Sequence, residues 1–292
     1  MRMCSPLRYP GGKSCLFELT SKLIAHNKLS HGHYVEPFAG GCGLALGLLY
    51  SGYVAEVSIN DIDPSIAAFW NVVLNRTEEL VRLIETTPVT VDEWHRQRQT
   101  HRSTSRVDPL ELGFAAFFLN RTNRSGVIKS GGVIGGQDQT GPYNIDCRFN
   151  VDDLVRRIRR VARYRSRIHL SGVDAHEFLD RCNSLPPRSL LFIDPPYFNK
   201  GAGLYTNFYR TADHKALASR ISQVKTPWVV TYDNVSEIRE MYARQRQYTF
   251  DLRYSLNLKR TGQELLITSD AIELPPEASR RQLDRLPRAM AA

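Results

Sequence analysis

The residues best suited to chemistry are Asp194-Pro195-Pro196-Tyr197, which close the apolar run 190–193. Two prolines fix φ and carry no N–H, so this loop is rigid and its carbonyls point outward as acceptors. A carboxylate, an acceptor carbonyl and an aromatic ring at the C-terminal end of a strand make a pocket for a planar amine. The Asp194 carboxylate and the Pro195 carbonyl can accept both hydrogens of an exocyclic amino group. That weakens conjugation of the nitrogen lone pair with the ring and turns it towards an electrophile. Tyr197 can stack on the ring, an interaction worth about 1–3 kcal/mol. The competing structural reading is a Pro-Pro turn in which Asp194 caps a helix.

A second constellation lies near the N-terminus. The strand 33–36 runs into Pro37-Phe38-Ala39-Gly40-Gly41-Cys42-Gly43 and then a helix over 44–50. A glycine-rich turn between strand and helix lets a ligand approach the backbone closely. Asp61 follows Gly41 by 20 residues and ends the next strand, 54–60. Dinucleotide-binding folds place the acid that takes ribose hydroxyls at this separation, so the spacing points to an adenosine-containing cofactor. The turn is not GxGxxG, which argues against NAD or FAD. The segment Pro10-Gly11-Gly12-Lys13-Ser14 lacks the first glycine and the preceding strand of a P-loop.

The elements that must position these groups alternate in type. Helical spacing marks 13–27 and 65–74, and alternation marks the strand 54–60 between the first two turns. Pro64 suits a first helical turn. Strand signals return at 168–171, 190–193, 228–232, 249–253 and 264–268. This order predicts an α/β fold with a Rossmann-like parallel sheet. Between the halves, 78–85, 92–99, 109–120 and 151–163 read as helices, and the glycine-rich stretch 125–143 as a hairpin or exposed loop. The last of these helices is amphipathic, and Arg156, Arg159, Arg160 and Arg163 on its polar face are either solvated or phosphate-binding. The predicted organisation is a catalytic domain over 1–75 and 166–270, a mainly helical insertion over 76–165, and a disordered Pro/Arg/Ala-rich tail over 271–292.

Composition bounds the rest. The chain has 292 residues, 42% hydrophobic and 24% charged, which excludes a disordered or fibrous protein. No apolar run approaches about 18 residues, which excludes a membrane-spanning helix. The start, MRMCSPLRYPGGKS, lacks the apolar stretch of a secretory signal. Five scattered cysteines form no CxxC pair, so neither a disulfide framework nor a metal site is expected, and a cytoplasmic setting fits. Net charge is +9, and residues 76–171 hold 17 Lys/Arg against 11 Asp/Glu. That local surplus suits a polyanion-binding surface.

Four motifs in order then resemble a known family: Tyr9-Pro10-Gly11-Gly12-Lys13, Glu36-Pro37-Phe38-Ala39-Gly40-Gly41, Asn60-Asp61-Ile62-Asp63 and Asp194-Pro195-Pro196-Tyr197. Weaker matches are Phe118-Leu119-Asn120-Arg121, Tyr143-Asn144-Ile145, Asp174, Tyr232-Asp233-Asn234 and Glu264–Thr268. The chain resembles the Dam-like (D12 class, alpha-group) DNA adenine-N6 methyltransferases over about residues 5–269. The DPPY tetrapeptide alone is shared with other amino methyltransferases, whereas the four motifs in this order are specific.

The resemblance implies an enzyme that uses S-adenosylmethionine to methylate adenine N6 in a short duplex DNA site, with the base flipped out of the helix. It implies cofactor contacts from Tyr9, Lys13, Glu36, Phe38, Gly40, Gly41, Asp61 and Asp174. It assigns the target base to Asp194, Pro195, Pro196 and Tyr197. The family often has Trp-Ala where this chain has Tyr9-Pro10. No covalent enzyme–base intermediate is needed, so the cysteines have no catalytic role. The insertion is the expected target reader. Asn120, Arg121, Asn123, Arg124 and Lys129 suit DNA contact, since Asn pairs with adenine and Arg with guanine. The alternative is that Asn120 and Arg121 organise the hairpin base. GATC is the site suggested by the family, but the hairpin departs from its pattern. A monomer acting on double-stranded DNA, without metal or membrane, is expected, either alone or beside a restriction nuclease or defence system. Rival readings are a methyltransferase for cytosine N4 or RNA adenine, and a catalytically silent DNA-binding component of a defence complex.

Overall fold

A computed structural model of the chain describes residues 4–8, 12–103, 107–199, 209–254, 260–276 and 284–286, with no side-chain description at 252–254 and 260–262. The first described element is a 3-10 turn, Lys13–Leu16, followed by helix α1 (Phe17–His26). The sequence pattern reads both as one helix. The first turn abuts the start of α2 (Gly43–Tyr50), where a Cβ on Gly43 would lie 2.2 Å from Ser14 Oγ and would require that hydroxyl to rotate away.

Five parallel strands carry the sheet: β1 (Gly32–Glu36), β2 (Val54–Asn60), β3 (Ile168–Ser171), β4 (Ser189–Ile193) and β5 (Trp228–Asp233). Two antiparallel strands follow, β6 (Arg246–Tyr254) and β7 (Arg260–Thr268), with a two-residue edge strand β8 (Asp284–Arg285). The spatial order is β3-β2-β1-β4-β5-β7-β6-β8. Strand order therefore reverses between β1 and β4, which opens a crevice at their C-terminal ends.

Both faces of the sheet are covered, and the strands show it. Leu190 and Phe192 of β4 enter one hydrophobic cluster, while Leu191 and Ile193 enter the other. The second cluster is closed by α8 (Ala175–Arg181), α9 (Thr211–Ser222) and α10 (Ser236–Met241). The first is closed by α1, α2 and a group of helices: α3 (Pro64–Asn75), α4 (Thr77–Thr86), α5 (Val91–Arg102), α6 (Pro109–Thr122) and α7 (Val151–Arg163). Pro64 occupies the first turn of α3, and the Asp63 carboxylate caps it by accepting the Ser65 N–H at 2.8 Å. Helix α6 is buried from Leu112 to Thr122, and α4 to α7 share one hydrophobic cluster with the sheet.

The expected tail is packed at its start. Ile272 is fully buried, and the Asn27 amide exchanges two hydrogen bonds of 2.8 Å with the Glu273 backbone. An isoleucine and a leucine (Leu274) in a Pro-rich segment are enough to dock it, a signal that lack of periodicity hides. Among the described residues no helix is long and apolar enough to cross a membrane.

Candidate active site

The crevice between β1 and β4 receives the two loops singled out by residue type. After β1 the chain turns through Gly40 at φ 45° and Cys42 at φ 50°, left-handed backbone that suits glycine and leads into α2. Side chains from the neighbouring elements hold this bend. Trp70 of α3 donates its indole N–H to Gly40 O at 2.9 Å. Asn60, at the end of β2, donates to the carbonyls of Pro37 and Val173 and accepts the Val173 N–H, so one buried amide ties three strand ends together. The Asp61 carboxylate accepts the N–H groups of Gly40 at 2.8 Å and Asp63 at 3.0 Å. Burial nevertheless pushes the Asp61 carboxyl up to about 6. Next to it Ile62 is 43% exposed, an outward-facing apolar side chain at the crevice rim that residue-type reasoning passed over.

At the end of β4, Asp194 meets Lys13. Lys13 Nζ lies 2.9 Å from Asp194 Oδ1 and donates to the Tyr197 hydroxyl at 3.0 Å. Thr231 of β5 also donates to Asp194 Oδ1, at 2.7 Å. Tyr197 donates to Glu264 Oε1 of β7 at 2.5 Å, and Glu264 Oε2 is 3.7 Å from Lys13 Nζ. Asp194 retains 21% side-chain exposure, and among the described residues its contacts with Lys13 and Thr231 fall on the same oxygen. Among the described residues it caps no helix, and the loop after Tyr197 is anchored by Asp233, whose carboxylate accepts the N–H groups of Phe198 and Asn199. Tyr197 is only 2% exposed, so a ring open for stacking is not presented in this conformation. The physical reason is its hydroxyl, which two buried charged groups draw inward.

Of the remaining residues assigned to the cofactor, Glu36, Phe38 and Gly41 end or follow β1, and Asp174 follows β3. Glu36 is buried, and desolvation pushes its carboxyl up to about 8, against the pull of the Tyr34 hydroxyl, with the field of Asp194 adding to the rise. Phe38 is half-buried and packs edge-to-face on Tyr209. Gly41 is buried within the bend. Asp174 is exposed beyond β3 and caps α8 through the His176 N–H at 2.8 Å. Tyr9 lies outside the described residues, as does most of the stretch after DPPY. A groove of about 720 Å3 between α3, the start of α6 and β3 reaches Ser171 and Gly172 but includes neither Lys13 nor Asp194. Among the described residues no group of three or more His, Cys, Asp or Glu could hold a metal.

The residues marked for DNA contact divide sharply. Asn120 is fully buried, accepting the Arg8 N–H and donating to the carbonyls of Arg8 and Gly126. Asn123 is fully buried, accepting the Trp94 indole N–H and donating to Val127 O and Ile128 O. Arg121 is 7% exposed, and its guanidinium donates to the carbonyls of Arg148 and Pro6. All three side chains turn inward at the start of the loop after α6, the arrangement expected of Asn120 and Arg121 if they organise the hairpin base. Arg124 and Lys129 are exposed on this hairpin, a loop whose pairing among the described residues is the single antiparallel bridge Asn123–Val133. The α7 arginines also resolve: Arg159 pairs with Glu78, Arg156 with Asp153, and Arg160 lies 4.0 Å from the centre of the Tyr50 ring.

Strand order and the crevice at its reversal put the chain among the Rossmann-like methyltransferase folds. The family model for the D12 class N6 adenine-specific DNA methyltransferases matches residues 9–256, and the chain belongs to that family. It is an adenine-specific DNA methyltransferase. The chain is also similar to a retron Ec67 DNA adenine methylase of Escherichia coli, 21% identical over 281 residues that cover 92% of each protein. A solved protein of Legionella pneumophila matches 92% of this chain and 87% of its own at 13% identity and a TM-score of 0.32, a likeness too loose to bear on fold or function.

Proposed function

We propose that the chain moves a methyl group from S-adenosylmethionine to N6 of an adenine flipped out of a short duplex site, and that Asp194 is the acceptor that holds the amine. The observation that carries this is the Asp194 carboxylate itself. It stands part-exposed at the strand-order reversal, with Lys13 and Thr231 both on Oδ1, which leaves Oδ2 to accept a substrate N–H.

The cofactor fits the residues present. An acid at the end of β2 beside a left-handed glycine bend, flanked by exposed Ile62, suits a ribose and the face of a purine. Asp61 would hold the ribose hydroxyls, Asp174 the adenine amine, and the bend from Phe38 to Gly43 the methionine part. The bound group supplies an electrophilic methyl on sulfur. Asp194 and the Pro195 carbonyl orient N6 towards it, and positioning of this kind provides much of the acceleration. Asp194 Oδ2 is then the nearest base for the proton that N6 sheds. A duplex buries N6 in the stack, so the base leaves it at a cost of a few kcal/mol.

Helices α4 to α7 and the hairpin after α6 form the target-reading part, with Arg124 and Lys129 as the DNA-facing residues. The name of the retron relative favours a role beside a mobile or defence element.

The test is incubation of the full chain with duplex DNA and methyl-labelled S-adenosylmethionine, followed by mass analysis of the nucleosides. N6-methyladenine is expected, and Asp194→Ala should abolish it while cofactor binding persists. Label in N4-methylcytosine, or full activity of Asp194→Ala, would overturn the reading.

A further inference from the structure

Glu264 lies on β7, on the far side of β5 from the crevice strands, and is fully buried. The residues after it, Leu265, Leu266 and Ile267, are buried core residues, so an acid at this point serves no packing purpose. A carboxylate withdrawn from water costs several kcal/mol unless it is paired. Its partners among the described residues include Tyr197 and Lys13, both within the methyl-transfer site. Lys13 in turn contacts Asp194 at 2.9 Å, so one ammonium is shared between two carboxylates.

We propose that Glu264 is a positioning residue for methyl transfer: it fixes the Tyr197 hydroxyl and draws part of the Lys13 charge away from Asp194, keeping Asp194 a strong acceptor for the adenine amine. The inference rests on the reading of Asp194 given above.

The electrostatics follow from the distances. In a buried site charges a few ångströms apart interact strongly. Without the Glu264 charge, the Lys13 ammonium holds Asp194 more tightly and makes it a weaker base. The Tyr197 hydroxyl, which accepts from Lys13 and donates to Glu264, transmits the constraint to the Pro-Pro loop. Among the described residues, the titratable groups around Glu264 are Lys13 and Cys15 from the first 3-10 turn and Tyr197 and Asp194 from the loop after β4. Glu36 on β1 faces Asp194 from its other side. On β5, Asp233 is the register neighbour of Glu264, but its carboxylate is turned to the Phe198 and Asn199 N–H groups.

The experiment compares full-length Glu264→Gln, Glu264→Asp, Tyr197→Phe and the Glu264→Gln/Tyr197→Phe double variant. Their melting temperatures are measured alongside steady-state methylation. Glu264→Gln is expected to lower kcat by about tenfold to a hundredfold, as misplacement of a reacting group does. Its KM for DNA and for S-adenosylmethionine should stay within about threefold, and the acid limb of its kcat–pH profile should move to lower pH. Glu264→Asp should recover part of the loss. Tyr197→Phe should fall by a similar factor, and the double variant should be no worse than the poorer single variant, because both cut the same link. A folded Glu264→Gln with the parental kcat and pH profile overturns the proposal, as do fully additive losses. If Glu264→Gln does not fold, a folded Tyr197→Phe with the parental kcat overturns it equally. Asp194→Ala separates the two levels. Its retained activity would sink the site reading, whereas an inactive Asp194→Ala beside an unaltered Glu264→Gln would sink this inference alone.

Discussion

The strand-end site and the hairpin after α6 contain the same kinds of residue put to opposite uses. At the site, Asp61 and Asp194 remain part-exposed at the rim of a crevice, each with hydrogen bonds that orient the carboxylate without enclosing it. At the hairpin base, Asn120, Arg121 and Asn123 turn inward and meet their hydrogen-bonding needs on the backbones of Arg8, Gly126, Arg148, Val127 and Ile128. The bend there needs left-handed backbone at Ser125 and Gly126, and a Cβ on Gly126 would lie 2.2 Å from Arg8 O. A chain packed that closely leaves carbonyls that water cannot reach, and the amides supply the donors. Residue type alone does not separate recognition from scaffolding. Internal satisfaction of the polar atoms does.

The sharpest way to break this contrast is at Asp194. Asp194→Ala should cost about a thousandfold or more in methylation rate, the scale of losing a preorganised polar group, with little change in melting temperature. Asn120→Ala and Asn123→Ala should do the reverse. Each should destabilise the fold by about 1–3 kcal/mol, read by chemical denaturation, because buried partners are left unpaired. Parental stability with lost site specificity in either would restore the base-contact reading.

Glu36 offers a pH test on the site side. Its folded carboxyl titrates at about 8, above the ordinary 4.5, so the native state binds this proton more tightly than the unfolded chain. Stability from this group is present below 4.5 and is lost as pH rises to about 8. Melting of Glu36→Gln against the parent should therefore show a difference that moves in favour of the variant across that window, by on the order of a few kcal/mol at most, and then levels off. A constant difference would deny the buried, protonated state. Smaller effects belong to the exposed hairpin. Arg124→Ala and Lys129→Ala should each reduce the salt slope of DNA binding by about one, without a change in melting temperature, if they meet phosphates.

Much of the fold was legible from local pattern. The strands 54–60 and 168–171 and the helix 151–163 fall where periodicity put them, because alternation and helical spacing are local properties. Pro64 marked the start of α3 for a reason confined to one turn. The antiparallel strands β6 and β7 run longer than the apolar segments that signalled them, since strand pairing extends through polar residues. Within the site, Asp194, Tyr197, Lys13 and Asp61 were legible because their motifs have unusual composition. Glu264 and Ile62 stood within motif matches but carried no assigned role, and Thr231 stood in none, since a single acid, threonine or isoleucine in a strand or turn carries no local signature.

By itself the sequence determined the order of elements, the two loops that carry chemistry and the family to which they belong. Those depend on backbone preferences and short-range spacing. Only the tertiary structure decided that Lys13 and Glu264, far apart along the chain, share one cluster with Asp194, and that the asparagines after Phe118 face inward. Burial and pairing depend on what the rest of the chain brings alongside, and no window of sequence contains that information.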